Sequence, residues 1–172
     1  SLTVNYVHQA QQKGLVNAFV EALNVIDDNE TVILQLADEI FIDLNTESIK
    51  NELKTEKFDF YCGITLEEIE EKIRNNFSVE TDSDSLLVKC IEKPQVVTNN
   101  IKGTGFTIFS GKTQKIIKDT YGSEPDKVQD LCDCFNYLVE LGYRGLAFSV
   151  AKKEFNINTV SDLKEAECFL NN

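Results

Sequence analysis

Residues 31 to 36 read Thr-Val-Ile-Leu-Gln-Leu and are followed by Ala37-Asp38. A short, nearly continuous apolar run of this kind reads as a parallel β-strand covered on both faces, so the fold must supply a layer above and a layer below it. Asp38 then falls just past the carboxyl end of that strand, where open α/β sheets form their ligand crevices. A strand-end turn or a helix cap would use the same aspartate without any ligand.

The rest of the chain alternates in the same way. Leu2 to His8 carries a strand pattern. Gly14 to Ile26 places Leu15, Ala18, Phe19, Ala22 and Leu23 at helical spacing. The spacing predicts helices over Thr46 to Lys54 and over Leu66 to Asn76, the second with Leu66, Ile69 and Ile73 facing inward. Phe58 to Thr65 reads as a strand between them. Phe77 to Glu80 and Leu86 to Glu92 read as strands joined by the polar turn Thr81-Asp82-Ser83-Asp84-Ser85, an antiparallel insertion. A strand over Gly105 to Phe109, helices over Gly111 to Thr120 and Pro125 to Leu141, and a long strand over Tyr143 to Val150 follow. A helix over Thr159 to Leu170 comes last, with Thr159 or Ser161 as its cap and Asp162 in its first turn. The expected architecture is a three-layer α/β fold with a mostly parallel sheet. Two prolines and no repeat or linker leave residues 1–172 as a single domain.

A formal charge of −12, from 29 acidic and 17 basic residues, opposes a nucleic-acid or anionic membrane partner. No apolar run approaches the ~20 residues needed to cross a bilayer. Five cysteines lack the repeated spacing of a zinc site and read as reduced thiols of a cytoplasmic protein. Cys132-Asp133-Cys134 invites a metal or redox assignment, but positions i and i+2 do not share a helix face.

Four patches remain. They are Gln9-Ala10-Gln11-Gln12-Lys13-Gly14-Leu15; Leu34-Gln35-Leu36-Ala37-Asp38; Ile91-Glu92-Lys93-Pro94 with Asn100 and Thr104-Gly105; and Phe155-Asn156-Ile157-Asn158-Thr159 leading to Ser161-Asp162-Leu163. In type, order and spacing they resemble the sugar-phosphate nucleotidyltransferases of the glucose-1-phosphate thymidylyltransferase and uridylyltransferase kind. The Asn-Ile-Asn-Thr stretch is similar to the choline-phosphate cytidylyltransferase-like branch. The resemblance implies a Rossmann-like nucleotide-diphospho-sugar transferase fold, Mg²⁺, and a reaction in which a phosphate oxygen attacks the α-phosphorus of a nucleoside triphosphate and pyrophosphate leaves. The acceptor would be a sugar 1-phosphate or a related phosphorylated molecule. The family's first segment, with its triphosphate-binding loop, has no counterpart in the residues given. The fold is therefore expected to be incomplete at its N-terminus, the C-terminal part of a nucleotidyltransferase domain, nearly inactive alone and inclined to self-associate or to pair with the missing segment. A non-catalytic nucleotide-sugar-binding or regulatory relative is the alternative.

The resemblance gives each patch a role that its chemistry suits. Gln9 can offer a base edge both a donor and an acceptor, and Gly14 lets backbone approach the ring; a polar turn before a helix would account for both equally well. Asp38 is expected as a metal ligand and catalytic residue. Asn156 is expected as the second ligand, where the family commonly has an aspartate; an amide oxygen can coordinate Mg²⁺ but adds no charge. Glu92 would take sugar hydroxyls and Lys93 the phosphate, the latter also as a catalytic residue, with Thr104 and Gly105 completing the substrate side. In a regular strand Glu92 and Lys93 would point to opposite faces, so either Pro94 bends the chain there or the two form a surface ion pair. His8 reads as a strand-end side chain, since this chemistry needs no general base.

Overall fold

The computed structural model describes residues 3–55 and 57–171. Its central sheet has six strands: β1 (Val32–Gln35), β3 (Phe60–Leu66), β4 (Phe77–Thr81), β5 (Leu87–Glu92), β6 (Ile101–Phe109) and β7 (Gly145–Ser149). They lie in the order β5-β4-β6-β3-β7, with β1 also paired to β6. β3 and β7 are parallel, and β6 runs antiparallel to β1, β3 and β4. β1, β3, β4 and β7 therefore point one way while β6 and β5 run against them. Lys102 pairs with both Thr65 and Ser78, and Phe109 with both Val32 and Phe60, so β1 and β4 share one edge of β6 and β3 takes the other.

Strand alternation sends side chains to two separate cores. Phe60, Cys62, Val79 and Phe109 face a layer made by α1 (Leu15–Leu23), α4 (Gly111–Ser123) and α5 (Leu131–Glu140). There the Phe135 ring stacks on Phe60 at 5.7 Å and on Phe109 at 6.0 Å. α1 forms because Val16, Phe19, Val20 and Leu23 make one apolar stripe, all buried. Tyr61, Phe106, Ile108 and Phe148 face the other side, against Ile49 of α2 (Thr46–Thr55) and Phe41 of β2 (Glu39–Leu44). β2 pairs antiparallel with β8 (Ala151–Asn156) in a two-stranded sheet over this second core. The result is the expected three-layer α/β arrangement. No helix among the described residues is long and apolar enough to cross a membrane.

Several boundaries differ from the sequence reading. Residues 3 to 8 form no strand, and Val4, Tyr6 and Val7 are exposed; Leu2 lies outside the described residues. β1, expected as a parallel strand covered on both faces, has antiparallel β6 as its partner among the described residues and leaves Ile33 exposed. The expected helix over Leu66 to Asn76 contracts to α3 (Glu70–Arg74), with Ile73 buried and Leu66 and Ile69 exposed. The expected helix from Pro125 breaks into a 3-10 turn (Pro125–Lys127) and α5, because buried Val128 and the N-cap Asp130, which accepts from Asp133 N at 2.9 Å, intervene. The strand expected to end at Val150 instead turns there and continues as β8. α6 (Val160–Leu170) keeps its expected start: Thr159 and Asp162 form a reciprocal capping box.

Candidate functional site

The turn between β1 and β2 carries Asp38, and β8 returns beside it, pairing Asn156 with Glu39. Ile157 N donates to Asp38 O at 2.7 Å, which ties the two sequence patches together at the backbone. Asp38 is exposed, so its carboxylate is accessible. Glu39, the next residue, turns inward and accepts from Gly105 N with both carboxylate oxygens, at 2.8 and 2.9 Å. Gly105 has no room for a side chain: a Cβ there would lie 2.4 Å from Leu36 Cγ. Its lack of a side chain thus brings β6 against the end of β1, and buried Gly105 meets the Asp38 turn through Glu39.

From Asn156 a run of amides leads to the Glu92-Lys93 turn. Asn158 Nδ2 donates to Asn156 Oδ1 at 2.6 Å, and Asn156 Nδ2 donates to Asn76 Oδ1 at 2.7 Å. Asn76 O in turn accepts from Lys93 N at 2.7 Å. Lys93 has φ 44°, in the left-handed region, so the bend falls on Lys93 itself, directly before Pro94. The strand rule that would send Glu92 and Lys93 to opposite faces therefore lapses, and Lys93 Nζ sits 3.8 Å from Glu92 Oε1. Burial, and then the Asp130 carboxylate at the start of α5, raise the Glu92 carboxyl above its ordinary range. Cys132 Sγ, on the second residue of α5, donates to Glu92 Oε2 at 3.8 Å.

Gln9 and Gly14 stand together at the entrance to α1. Gln9 Nε2 donates to Asn17 Oδ1 at 2.8 Å and to Gly14 O at 3.2 Å, so its donor is spent locally. Gly14 has φ 94°, a conformation that favours glycine whatever its ligand role. Gln129 O lies 3.9 Å from where its Cβ would be, next to Asp130, so the Gln9 patch and the Glu92 patch both border the start of α5. Thr104 is fully buried, and its hydroxyl donates to Gly63 O at 3.0 Å across the β3–β6 ladder. His8 is exposed in the irregular segment. Cys62, Cys90, Cys132 and Cys134 are buried, and burial raises the Cys90 thiol well above its usual range.

Three charged residues at this corner had no signal in the sequence: Glu39, Lys102 and Glu154, all buried. Lys102 of β6 and Glu154 of β8 form an ion pair between the two sheets. Burial first, then repulsion by Glu154, push the Glu39 carboxyl up to about 7. A cleft of about 330 Å³ opens beside them, lined by Lys72, Asn76, Lys102, Glu154, Asn156 and Asn158 among others. Among the described residues no group of three or more His, Cys, Asp or Glu side chains is arranged to hold a metal ion.

The fold and sequence both have known counterparts. Over 108 residues, 62% of this chain, the sequence is 29% identical to the UTP-glucose-1-phosphate uridylyltransferase AglF of Haloferax volcanii, of which the match covers 42%. A UDP-glucose pyrophosphorylase solved with UDP-glucose superposes with a TM-score of 0.78 at 19% identity, over 97% of this chain and 65% of that one. A structure described as a glucose-1-phosphate thymidylyltransferase from Bacillus anthracis, in complex with sucrose, superposes with a TM-score of 0.75 at 14% identity, over 91% of this chain and 60% of that one. The chain thus spans less than two thirds of each of these proteins, with the Rossmann-like α/β fold in common. Because the nucleotidyl transferase family profile matches residues 1–172 throughout, the chain belongs to that family.

Proposed function

We propose that this chain forms the acceptor side of a site that joins a nucleoside monophosphate from a triphosphate to a sugar 1-phosphate, or a similar phosphorylated acceptor, with release of pyrophosphate. The observation that carries this reading is the meeting of three sequence patches at one corner: Asp38 bonded through its backbone to Ile157, and Asn156 linked through Asn76 to Lys93. Exposed Asp38 is assigned the divalent cation, with Asn156 turning its amide oxygen from Asn158 to join it. That donor set suits Mg²⁺, which takes one or two protein carboxylates and completes its shell with phosphate and water. When bound, the cation would neutralise charge on the reacting phosphates. Lys93, 70% exposed at its side chain, is assigned the acceptor phosphate, and Glu92 its hydroxyls. Gln9, through its amide oxygen, and Gly14 are assigned the base. Thr104 and Gly105 serve the site from behind, by fixing β6 against β3 and Glu39.

A net charge of −12 opposes a triphosphate, which supports little turnover by this stretch of chain alone. The unbridged thiols of Cys62, Cys90, Cys132 and Cys134 suit the cytoplasm. A non-catalytic nucleotide-sugar-binding or regulatory role is favoured by Asn156, whose amide is bonded on both sides and brings no charge.

The test is pyrophosphate release with Mg²⁺ across nucleoside triphosphates, with glucose 1-phosphate and choline phosphate as acceptors, by this chain joined to a triphosphate-binding segment of the family, against an Asp38→Asn control. Release above the control with glucose 1-phosphate supports the transferase and its sugar branch. Release with choline phosphate alone moves the acceptor to the other branch, and silence throughout favours the binding role.

A further inference from the structure

The amides of Asn76, Asn156 and Asn158 are joined in a chain whose direction is fixed at one end. α3 stops at Arg74, and Asn76 N donates to Ile73 O at 3.0 Å, where a continuing helix would have bonded it to Lys72 O. The side chain of Asn76 fills Lys72 O instead, with Nδ2 donating at 2.9 Å. A backbone carbonyl only accepts, so the Asn76 amide has one orientation here: its NH2 meets Lys72 and its Oδ1 faces away.

That orientation passes along the chain. Asn76 Oδ1 also only accepts, so Asn156 turns Nδ2 to it, at 2.7 Å, and keeps its own Oδ1 for another partner. In the structure that partner is exposed Asn158, whose Nδ2 donates at 2.6 Å. The far end is held by backbone, since Asn158 N donates to Asp162 Oδ2 at 3.0 Å, the carboxylate of the α6 capping box. The oxygen and nitrogen of an asparagine amide differ little in shape, so only such a network decides which of them Asn156 offers. Beside a cation the difference is chemical: an amide oxygen can ligate it and an NH2 cannot.

We propose that Asn76 is the positioning residue of the Asp38–Asn156 corner: directed by Lys72 O, it engages Asn156 Nδ2 and so reserves Asn156 Oδ1 for a divalent cation. The proposal rests on the reading that this corner takes such a cation. Asn76 itself does not touch the metal, and Asn158 Nδ2 is the group the metal displaces.

Mg²⁺ titrated into ¹⁵N-labelled wild-type protein is expected to move the Asn158 side-chain signals toward those of a free amide. The Asn156 side-chain amide should stay protected from hydrogen exchange, still bonded to Asn76. Asn76→Ala is expected to weaken Mg²⁺ affinity about threefold to tenfold, the scale of one neutral hydrogen bond. In an Asn156→Ala background the same substitution should weaken it no further, because no amide is left to orient. Equal losses in both backgrounds, or no loss in either, would overturn the proposal. So would wild-type amide signals that ignore Mg²⁺, or an Asn156 amide that loses protection when Mg²⁺ binds, a result that needs no variant to fold. Pyrophosphate release by the chain joined to a triphosphate-binding segment of the family separates the two readings. Coupling between Asn76 and Asn156 without transfer removes the transferase and keeps the relay. Transfer without that coupling removes the relay and keeps the transferase.

Discussion

Asn136 of α5 acts as a strand partner for Cys90. Its Oδ1 accepts from Cys90 N at 2.8 Å and its Nδ2 donates to Cys90 O at 2.9 Å, so one side chain satisfies both backbone groups on the outer edge of β5. β5 ends the sheet order, and such edges leave unpaired groups that invite other chains. The same contact holds the start of α5, with Asp130 and Cys132, beside Glu92. Asn136→Ala is expected to cost about 1–3 kcal/mol in urea unfolding, because two part-buried backbone groups lose their partner. Asn136→Asp keeps the acceptor and loses the donor, so its loss should be a comparable share of that. A stability unchanged in both would show that water replaces the amide.

Glu39 makes stability fall with rising pH. Its folded carboxyl is raised from the ordinary 4.5 to about 7, through burial and then repulsion by Glu154. The folded state therefore binds this proton more tightly than the unfolded chain. The contribution is complete below the unfolded value and is lost as pH rises through about 7, a change on the order of 3 kcal/mol. Glu39→Gln removes the titration while keeping an acceptor for Gly105 N. In metal-free buffer the variant should gain on the wild type between about pH 5 and about pH 8. A difference in unfolding free energy that stays flat across this window would refute the assignment.

Gly105 and Leu36 form a steric pair that a double-mutant cycle can isolate. A Cβ at 105 would lie 2.4 Å from Leu36 Cγ and 2.8 Å from Leu36 Cβ, and the second atom cannot swing away. Gly105→Ala should destabilise by about 1–3 kcal/mol, the usual cost of overpacking. Leu36→Ala on that background should return part of the loss. Strictly additive losses would place the strain elsewhere.

What the sequence disclosed follows from how local each signal is. α1 was legible because four apolar residues within nine positions mark one face, and α6 because Thr159 and Asp162 cap it three residues apart. β2 and β8 were not. Their sequences, Glu-Ile-Phe-Ile-Asp-Leu and Ala-Lys-Lys-Glu-Phe-Asn, lack a two-residue alternation, and among the described residues they pair only with each other, across more than a hundred positions. The ligand candidates Asp38 and Asn156 stood in recognisable patches, yet their proximity depends on that unseen ladder. Lys102 and Glu154 carried no signal because a buried charge is licensed only by its partner, here 52 positions away. Thr104 is conspicuous in its motif, while its hydroxyl is engaged inside the sheet.

Self-association should occur through β1. Among the described residues this strand pairs only with β6, and Ile33 on its outward face is 48% exposed. Edge strands with exposed apolar residues recruit further chains, and a lysine on such an edge opposes this. Light scattering at rising protein concentration should report an increasing mean mass, reduced by Ile33→Lys. A monomer at every concentration would remove the expectation.

Asp38 and Asn156 should respond to substitution in opposite directions. Asp38→Asn removes the one accessible carboxylate of the turn without disturbing a buried contact, since the structural bond there uses the backbone oxygen. Under the proposed function it should lower Mg²⁺-dependent pyrophosphate release by roughly 100-fold or more, as expected when several kcal/mol of charge stabilisation are lost, with unchanged unfolding behaviour. Asn156→Asp adds a negative charge to the same corner but deletes the donor that holds Asn76 Oδ1 at 2.7 Å, leaving two acceptors face to face. Its Mg²⁺ affinity should rise while its metal-free stability falls by about 1–3 kcal/mol, and saturating Mg²⁺ should recover part of that loss by binding the folded form. Calorimetric Mg²⁺ titration and urea unfolding on the same samples separate the two effects. A variant that loses stability without gaining metal affinity would leave Asn156 as a structural bridge between β8 and Asn76, and would move the cation to Asp38 alone.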